Sequence, residues 1–123
     1  MLTERPHKKE VSVLLLEDEM DICLMFSRIF KKKEIPFKCA YTLEEGKKAI
    51  KEFKPDVLLL DNNLPDGYGM DWITWFKSSV PDLKVVLITA DALILKKENA
   101  EKADEIILKP TSFSKVLEVI NSF

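Results

Sequence analysis

The sequence predicts an α/β domain built on a doubly wound parallel five-stranded sheet, and three observations carry that expectation. Val11–Leu16, Val57–Leu60, Val85–Ile88 and Ile106–Leu108 are short, mainly apolar runs, the pattern of strands covered on both faces by helices. Stretches with helical spacing alternate with them, joined by short turns, which is the order of successive β/α units. Each run also ends in a residue with chemistry: Glu17-Asp18, Asp61, Thr89 and Lys109-Pro110. Parallel sheets gather their ligands at the carboxyl ends of their strands.

In chain order, residues 1–10 read as a polar arm, with His7 a solvated side chain, and residues 11–123 as the folded domain. The first strand is expected at about 11–17 and the first helix at about 19–33, with Ile22, Phe26, Ile29 and Phe30 on one side and Lys31-Lys32-Lys33 at the negative end of its dipole. A strand at about 37–41 follows. The second helix opens with Thr42-Leu43-Glu44-Glu45, a capping box, and runs through Ala49, Ile50 and Phe53 to the stop at Pro55. The third strand, about 56–61, leads through the turn formers of Leu64-Pro65-Asp66-Gly67-Tyr68-Gly69 into a helix from about 69 to 79. On that helix Met70, Ile73 and Phe76 supply the core stripe with Trp72 beside them, so Trp75 is expected to point outward, as a partner anchor or packed on a loop. A strand at about 84–89, a helix at 92–102, a strand at 105–109 and a short helix at 113–122 complete the chain. Leu93-Ile94-Leu95 is three apolar residues in a row, so one is expected to face water as part of a docking or dimer surface.

Size and composition narrow the classes. The chain of 123 residues has 19 basic and 21 acidic side chains, a formal net charge of −2, with no basic excess to draw it onto nucleic acid or anionic lipid. No apolar run approaches the roughly 20 residues of a membrane span. Cys23 and Cys39 lie in apolar-patterned segments without metal-ligand spacing and read as buried free thiols. A cytoplasmic protein without membrane association is the expectation.

The strand ends bring three acids, a hydroxyl and an amine toward one pocket. Close carboxylates repel, and one takes up a proton unless a cation sits among them. An all-oxygen donor set suits Mg²⁺. With Lys109 and Thr89 added, the pocket is a receptacle for a phosphoryl group, and Asp61 is the natural nucleophile because a carboxylate can carry a covalent phosphoryl intermediate.

Four ordered signatures, Leu16-Glu17-Asp18, Leu60-Asp61 followed by Leu64-Pro65, Thr89-Ala90, and Lys109-Pro110, resemble those of response-regulator receiver domains, the phosphoacceptor module of two-component signalling. The resemblance runs from Val11 to about Ile120. It implies a flavodoxin-like (βα)5 sheet of order 2-1-3-4-5 and a phosphoryl group accepted on Asp61 from a sensor histidine kinase or phosphotransfer protein. It further implies Mg²⁺ held by Asp18, Asp61 and the main-chain carbonyl of Asn63, with Glu17 acting through a metal-bound water. Thr89 and Lys109 would bind phosphoryl oxygens, and Lys109-Pro110 would be cis, which X-Pro bonds adopt at low cost. The signal would leave through the fourth helix, fifth strand and fifth helix toward an output domain, a downstream protein or a phosphorylation-dependent homodimer. Asn63 and Asp91 hold positions that in this family flank the path of the hydrolytic water.

The chain departs from the family pattern at Glu17, where aspartate is common, and at Ile106, where many members carry a switching aromatic. Lys102-Ala103-Asp104 replaces Gly-Ala-Asp, so the fourth helix lacks its favoured terminator. These departures keep open a pseudo-receiver that binds partners without phosphorylation. Flavin-type nucleotide binding on the same sheet needs an amide-rich phosphate cradle after the first strand, where Glu17-Asp18-Glu19 would repel phosphate. An aspartate-nucleophile phosphatase would need an acid where Asn63 stands, so no enzymatic turnover is expected beyond slow loss of the chain's own aspartyl phosphate.

Overall fold

The computed structural model describes residues 11–123, and the expected polar arm with His7 lies outside them. We label the elements β1 (Val13–Leu16), α1 (Met20–Lys32), β2 (Phe37–Ala40), α2 (Leu43–Phe53), β3 (Val57–Asp61), α3 (Ile73–Ser79), β4 (Lys84–Thr89), β5 (Glu105–Leu108) and α4 (Phe113–Asn121). The five strands pair in parallel in the order β2-β1-β3-β4-β5, the order the resemblance implies.

Alternation along each strand divides the core. Leu14, Leu16, Leu58, Leu60, Val85 and Leu87 face α2 and α3 in one cluster, whereas Val13, Leu15, Val57, Leu59, Val86 and Ile88 join α1 and α4 in the other. Successive side chains of a strand point to opposite faces, so continuous apolar runs fill two cores at once. On α1 the buried stripe is Cys23, Phe26 and Phe30, with Ile22 and Ile29 at its margins. The Phe30 ring stacks on Phe37 at 4.9 Å and meets Phe113 edge-on at 5.1 Å. The capping box at α2 forms: Thr42 accepts the Glu45 N–H at 3.0 Å, and the Glu45 carboxylate accepts the Tyr41 N–H, one residue before the cap, at 2.8 Å.

Five expectations need correction. Residues 92–102 form two 3-10 turns, Ala92–Lys96 and Glu98–Lys102, split at an extended Lys97, rather than an α-helix. The cause is in the sequence. An α-helix burying Ile94 would place Lys97, Glu98 and Glu101 on the same face, three charges where a stripe needs apolar neighbours. The turns instead bury Ile94 and Ala100 and leave Leu93 and Leu95 exposed, so two leucines face water where one was expected.

The helix expected from residue 69 begins as a 3-10 turn, Gly69–Trp72, and becomes α-helical only at Ile73. A small hairpin, Asn63–Leu64 against Gly67–Tyr68, precedes it. Trp75 is half-buried rather than outward, edge-on to Phe76 at 5.4 Å, with the Lys51 ammonium 5.3 Å from its ring centre. Cys23 and Cys39 are joined in a disulfide, with Cα atoms 6.0 Å apart, and are not free thiols. Packing of α1 across β2 brings together two residues whose linear spacing gave no sign of pairing.

Candidate functional site

The site is assembled from strand ends. Asp61 closes β3 and is buried, and its neighbour Asn62 donates its amide to the Ile88 carbonyl of β4 at 2.9 Å. Glu17 follows β1, its amide held by the Ala40 carbonyl at 3.0 Å, and is buried too, while Asp18 is exposed. Carboxylate oxygens of Glu17, Asp18 and Asp61 all lie within 4.8 Å of one another. The Lys109 ammonium, arriving after β5, donates to Asp61 Oδ2 at 3.3 Å and lies 3.9 Å from Glu17 Oε1. The Lys109-Pro110 bond is cis. Asn63 donates its amide to Asp61 Oδ1 at 3.1 Å.

Thr89 is fully buried at the end of β4, and its Oγ1 accepts the Asp91 N–H at 3.1 Å. Its backbone carbonyl accepts the Lys109 N–H at 2.8 Å, tying the two strand ends together. Ile106 pairs with Leu87 and packs against the α2–α3 core. Asp91 turns its carboxylate back to accept the Leu93 N–H at 2.9 Å, capping the first 3-10 turn.

Electrostatics follow from this packing. Burial pushes the Glu17 carboxyl up to about 7, with the charge of Asp61 and a hydrogen bond to it acting in the same direction; the Glu19 N–H and Lys109 oppose. Between its ordinary value and about 7 the folded chain therefore binds a proton that the unfolded chain has released, so stability falls as pH rises through that window. In metal-free buffer, urea unfolding of the parent between pH 5.5 and 8 is expected to lose roughly 2 kcal/mol more than Glu17→Gln, which cannot ionise. Equal pH profiles would show that Glu17 is ionised throughout.

Two residues that shape the site escaped the sequence reading. Asn62 is buried, and its side-chain oxygen accepts the Met70 N–H at 2.9 Å while its carbonyl accepts the Gly69 N–H at 2.9 Å. A Cβ on Gly69 would come within 2.7 Å of the Asp61 carbonyl oxygen. The glycine was legible only as a turn former; its closeness to the acceptor strand is a tertiary fact.

The profile of the response regulator receiver domain matches residues 13–121. The chain is 28% identical over 115 residues to chemotaxis protein CheY of Thermotoga maritima, covering 89% of this chain and 93% of that one. It is 26% identical over 110 residues to regulatory protein LuxO of Vibrio cholerae, covering 88% of this chain but 24% of that longer protein. The solution structure of the beryllofluoride-activated NtrC4 receiver domain dimer superposes with a TM-score of 0.80 at 33% identity, over 90% of this chain and 93% of that one. With the parallel sheet in 2-1-3-4-5 order and the acidic cluster at its carboxyl edge, these likenesses agree: the chain belongs to the response regulator receiver domain family of two-component signalling.

Proposed function

We propose that Asp61 is the phosphoacceptor of this receiver and that Mg²⁺ is its cofactor. The observation that carries the reading is a carboxylate at the end of a central strand, grouped with Glu17 and Asp18 within 4.8 Å and facing the Lys109 ammonium at 3.3 Å. The donor set fits a hard divalent cation, since all three groups offer oxygen and two are buried. Asp18, Asp61 and the Asn63 carbonyl would hold the ion, with Glu17 reaching it through water. The ion supplies neutralisation of phosphoryl charge during transfer.

The remaining steps belong to the side chains. An Asp61 carboxylate oxygen attacks phosphorus, a P–O bond forms, and the P–N bond to a histidine of the donor breaks, leaving the electron pair on the imidazole. Lys109 pairs with the transferred phosphoryl oxygens. Thr89 keeps its hydroxyl proton for donation while its oxygen accepts from Asp91, so it can bond the new dianion by rotating its side chain. The donor is a sensor histidine kinase or phosphotransfer protein, in the cytoplasm, and the chain turns over nothing but its own acyl phosphate. No helix among the described residues is long and apolar enough to cross a membrane.

The folded unit spans residues 11–123. Output runs through the turns at 92–102, β5 and α4, where Leu93, Leu95 and Leu108 expose apolar surface, to an output domain, a downstream protein or a second copy of the chain formed on phosphorylation. The test is mass spectrometry after incubation with acetyl phosphate and Mg²⁺. One phosphoryl mass is expected on the parent and none on Asp61→Asn. Equal labelling would move the acceptor elsewhere, and no labelling of either, together with unchanged amide spectra in beryllofluoride, would favour a phosphorylation-independent interaction module.

A further inference from the structure

The hairpin that follows Asp61 is held at both ends. At its base, Asn62 is bonded to the Gly69 and Met70 amides at the start of the 3-10 turn leading into α3. At its tip, Asp66 reaches across to α2: Oδ1 accepts the Leu43 N–H at 2.8 Å and Oδ2 the Glu44 N–H at 3.1 Å. These are first-turn amides that a helix leaves without internal partners, and Thr42 serves only the Glu45 amide of that turn. Asp66 is exposed, and the slight desolvation that raises its carboxyl is outweighed by the Leu43 and Glu44 amides, its own amide and the Lys47 charge, which hold the group below its ordinary value. The carboxylate is thus a charged cap supplied from another element, 23 residues away in sequence from Leu43. Gly67, at φ +151°, lets the chain turn back directly after it, and a side chain there would meet Leu43.

Three positions before Asp66 in the same hairpin, Asn63 pairs with Tyr68; its backbone N–H bonds Asp61 Oδ1, and its carbonyl belongs to the cation site proposed above. We infer that Asp66 is a positioning residue for that site: by fastening the hairpin tip to the amino end of α2, it holds the Asn63 carbonyl and the Asp61 carboxylate in register for the ion. The inference rests on the Mg²⁺ reading of the acidic cluster. It assigns to Asp66 an action through Asn63, with no contact to the ion or to phosphate.

The test compares Asp66→Ala, Asp66→Asn and Thr42→Ala with the parent by Mg²⁺ titration calorimetry, by the shift of the Asn63 amide in NMR spectra, and by thermal melting. Thr42→Ala removes a cap from the same helix while leaving the hairpin bonds intact, so it reports what loss of α2 stability alone does. Asp66→Ala is expected to weaken Mg²⁺ about tenfold, the scale at which residues that orient metal ligands act, and to shift the Asn63 amide. Asp66→Asn, which keeps a carbonyl acceptor, should recover most of the affinity, and Thr42→Ala should lower the melting temperature with Mg²⁺ affinity unchanged. Parent-like Mg²⁺ affinity in Asp66→Ala, or equal weakening in Thr42→Ala, overturns the positioning role and leaves Asp66 as a helix cap. A parent that binds no Mg²⁺ overturns the cation reading itself, and this inference with it.

Discussion

Lys109→Ala is expected to cut the rate of labelling by acetyl phosphate on the order of a hundredfold, the usual effect of deleting one charged donor aimed at developing negative charge. The ammonium lies 3.3 Å from Asp61 and 3.9 Å from Glu17, where an incoming phosphoryl group adds charge to a pocket already holding two buried carboxylates. In the metal-free protein Lys109 opposes the rise of the Glu17 carboxyl, so its removal should move that titration further upward. Mg²⁺ affinity measured at pH 8 should be retained or increased, because a competing cation has been withdrawn. Stopped-flow labelling and calorimetry on the same preparation separate the two effects. An unaltered labelling rate would show that the amine does not serve the transferred group.

Phe30→Ala should produce the largest loss of stability, about 3–5 kcal/mol. The ring is fully buried and is the hub of an aromatic cluster, stacked on Phe37 and edge-on to Phe113 and Phe26. It therefore ties α1 and the start of α4 to the edge strand β2 on one face of the sheet. Deleting it opens a cavity that rigid neighbours cannot close, whereas Phe30→Leu keeps part of the volume and should cost far less. Urea midpoints followed by circular dichroism give both numbers. A loss below about 1 kcal/mol for the alanine variant would mean that the cluster repacks freely.

The three central strands were legible because their apolar runs are buried on both faces, and the site because its acids and amine stand directly after strand-like runs. Thr42 and Glu45 announced α2 for an equally local reason, bonding within four residues of one another. Whatever depended on distant partners was not legible. Asp66 stood out only as one residue of a turn marked by its proline and glycines, and its role as a cap needed α2 to arrive beside the hairpin. Cys23 and Cys39 became neighbours only when α1 lay across β2. The segment 92–102 is a different case: its place in the β/α alternation suggested a helix, whereas the charges at Lys97, Glu98 and Glu101, local to the sequence, forbid a helical stripe.

That segment also bears on how a change at Thr89 could be passed on without a switching aromatic at 106. Its first turn is capped by Asp91, whose amide is bonded to the Thr89 hydroxyl, so reorienting that hydroxyl loosens the segment at its first link. Beyond that link, the apolar anchorage of the two turns is Ile94 and Ala100, and lifting the isoleucine out costs about 2–3 kcal/mol. With Asn99 donating to Asp71 at 3.2 Å as a further tie, the segment is fastened to the edge of a stiff plate by a few separate contacts, each of the same order as one new charge-assisted hydrogen bond at its root, about 1.5–3 kcal/mol.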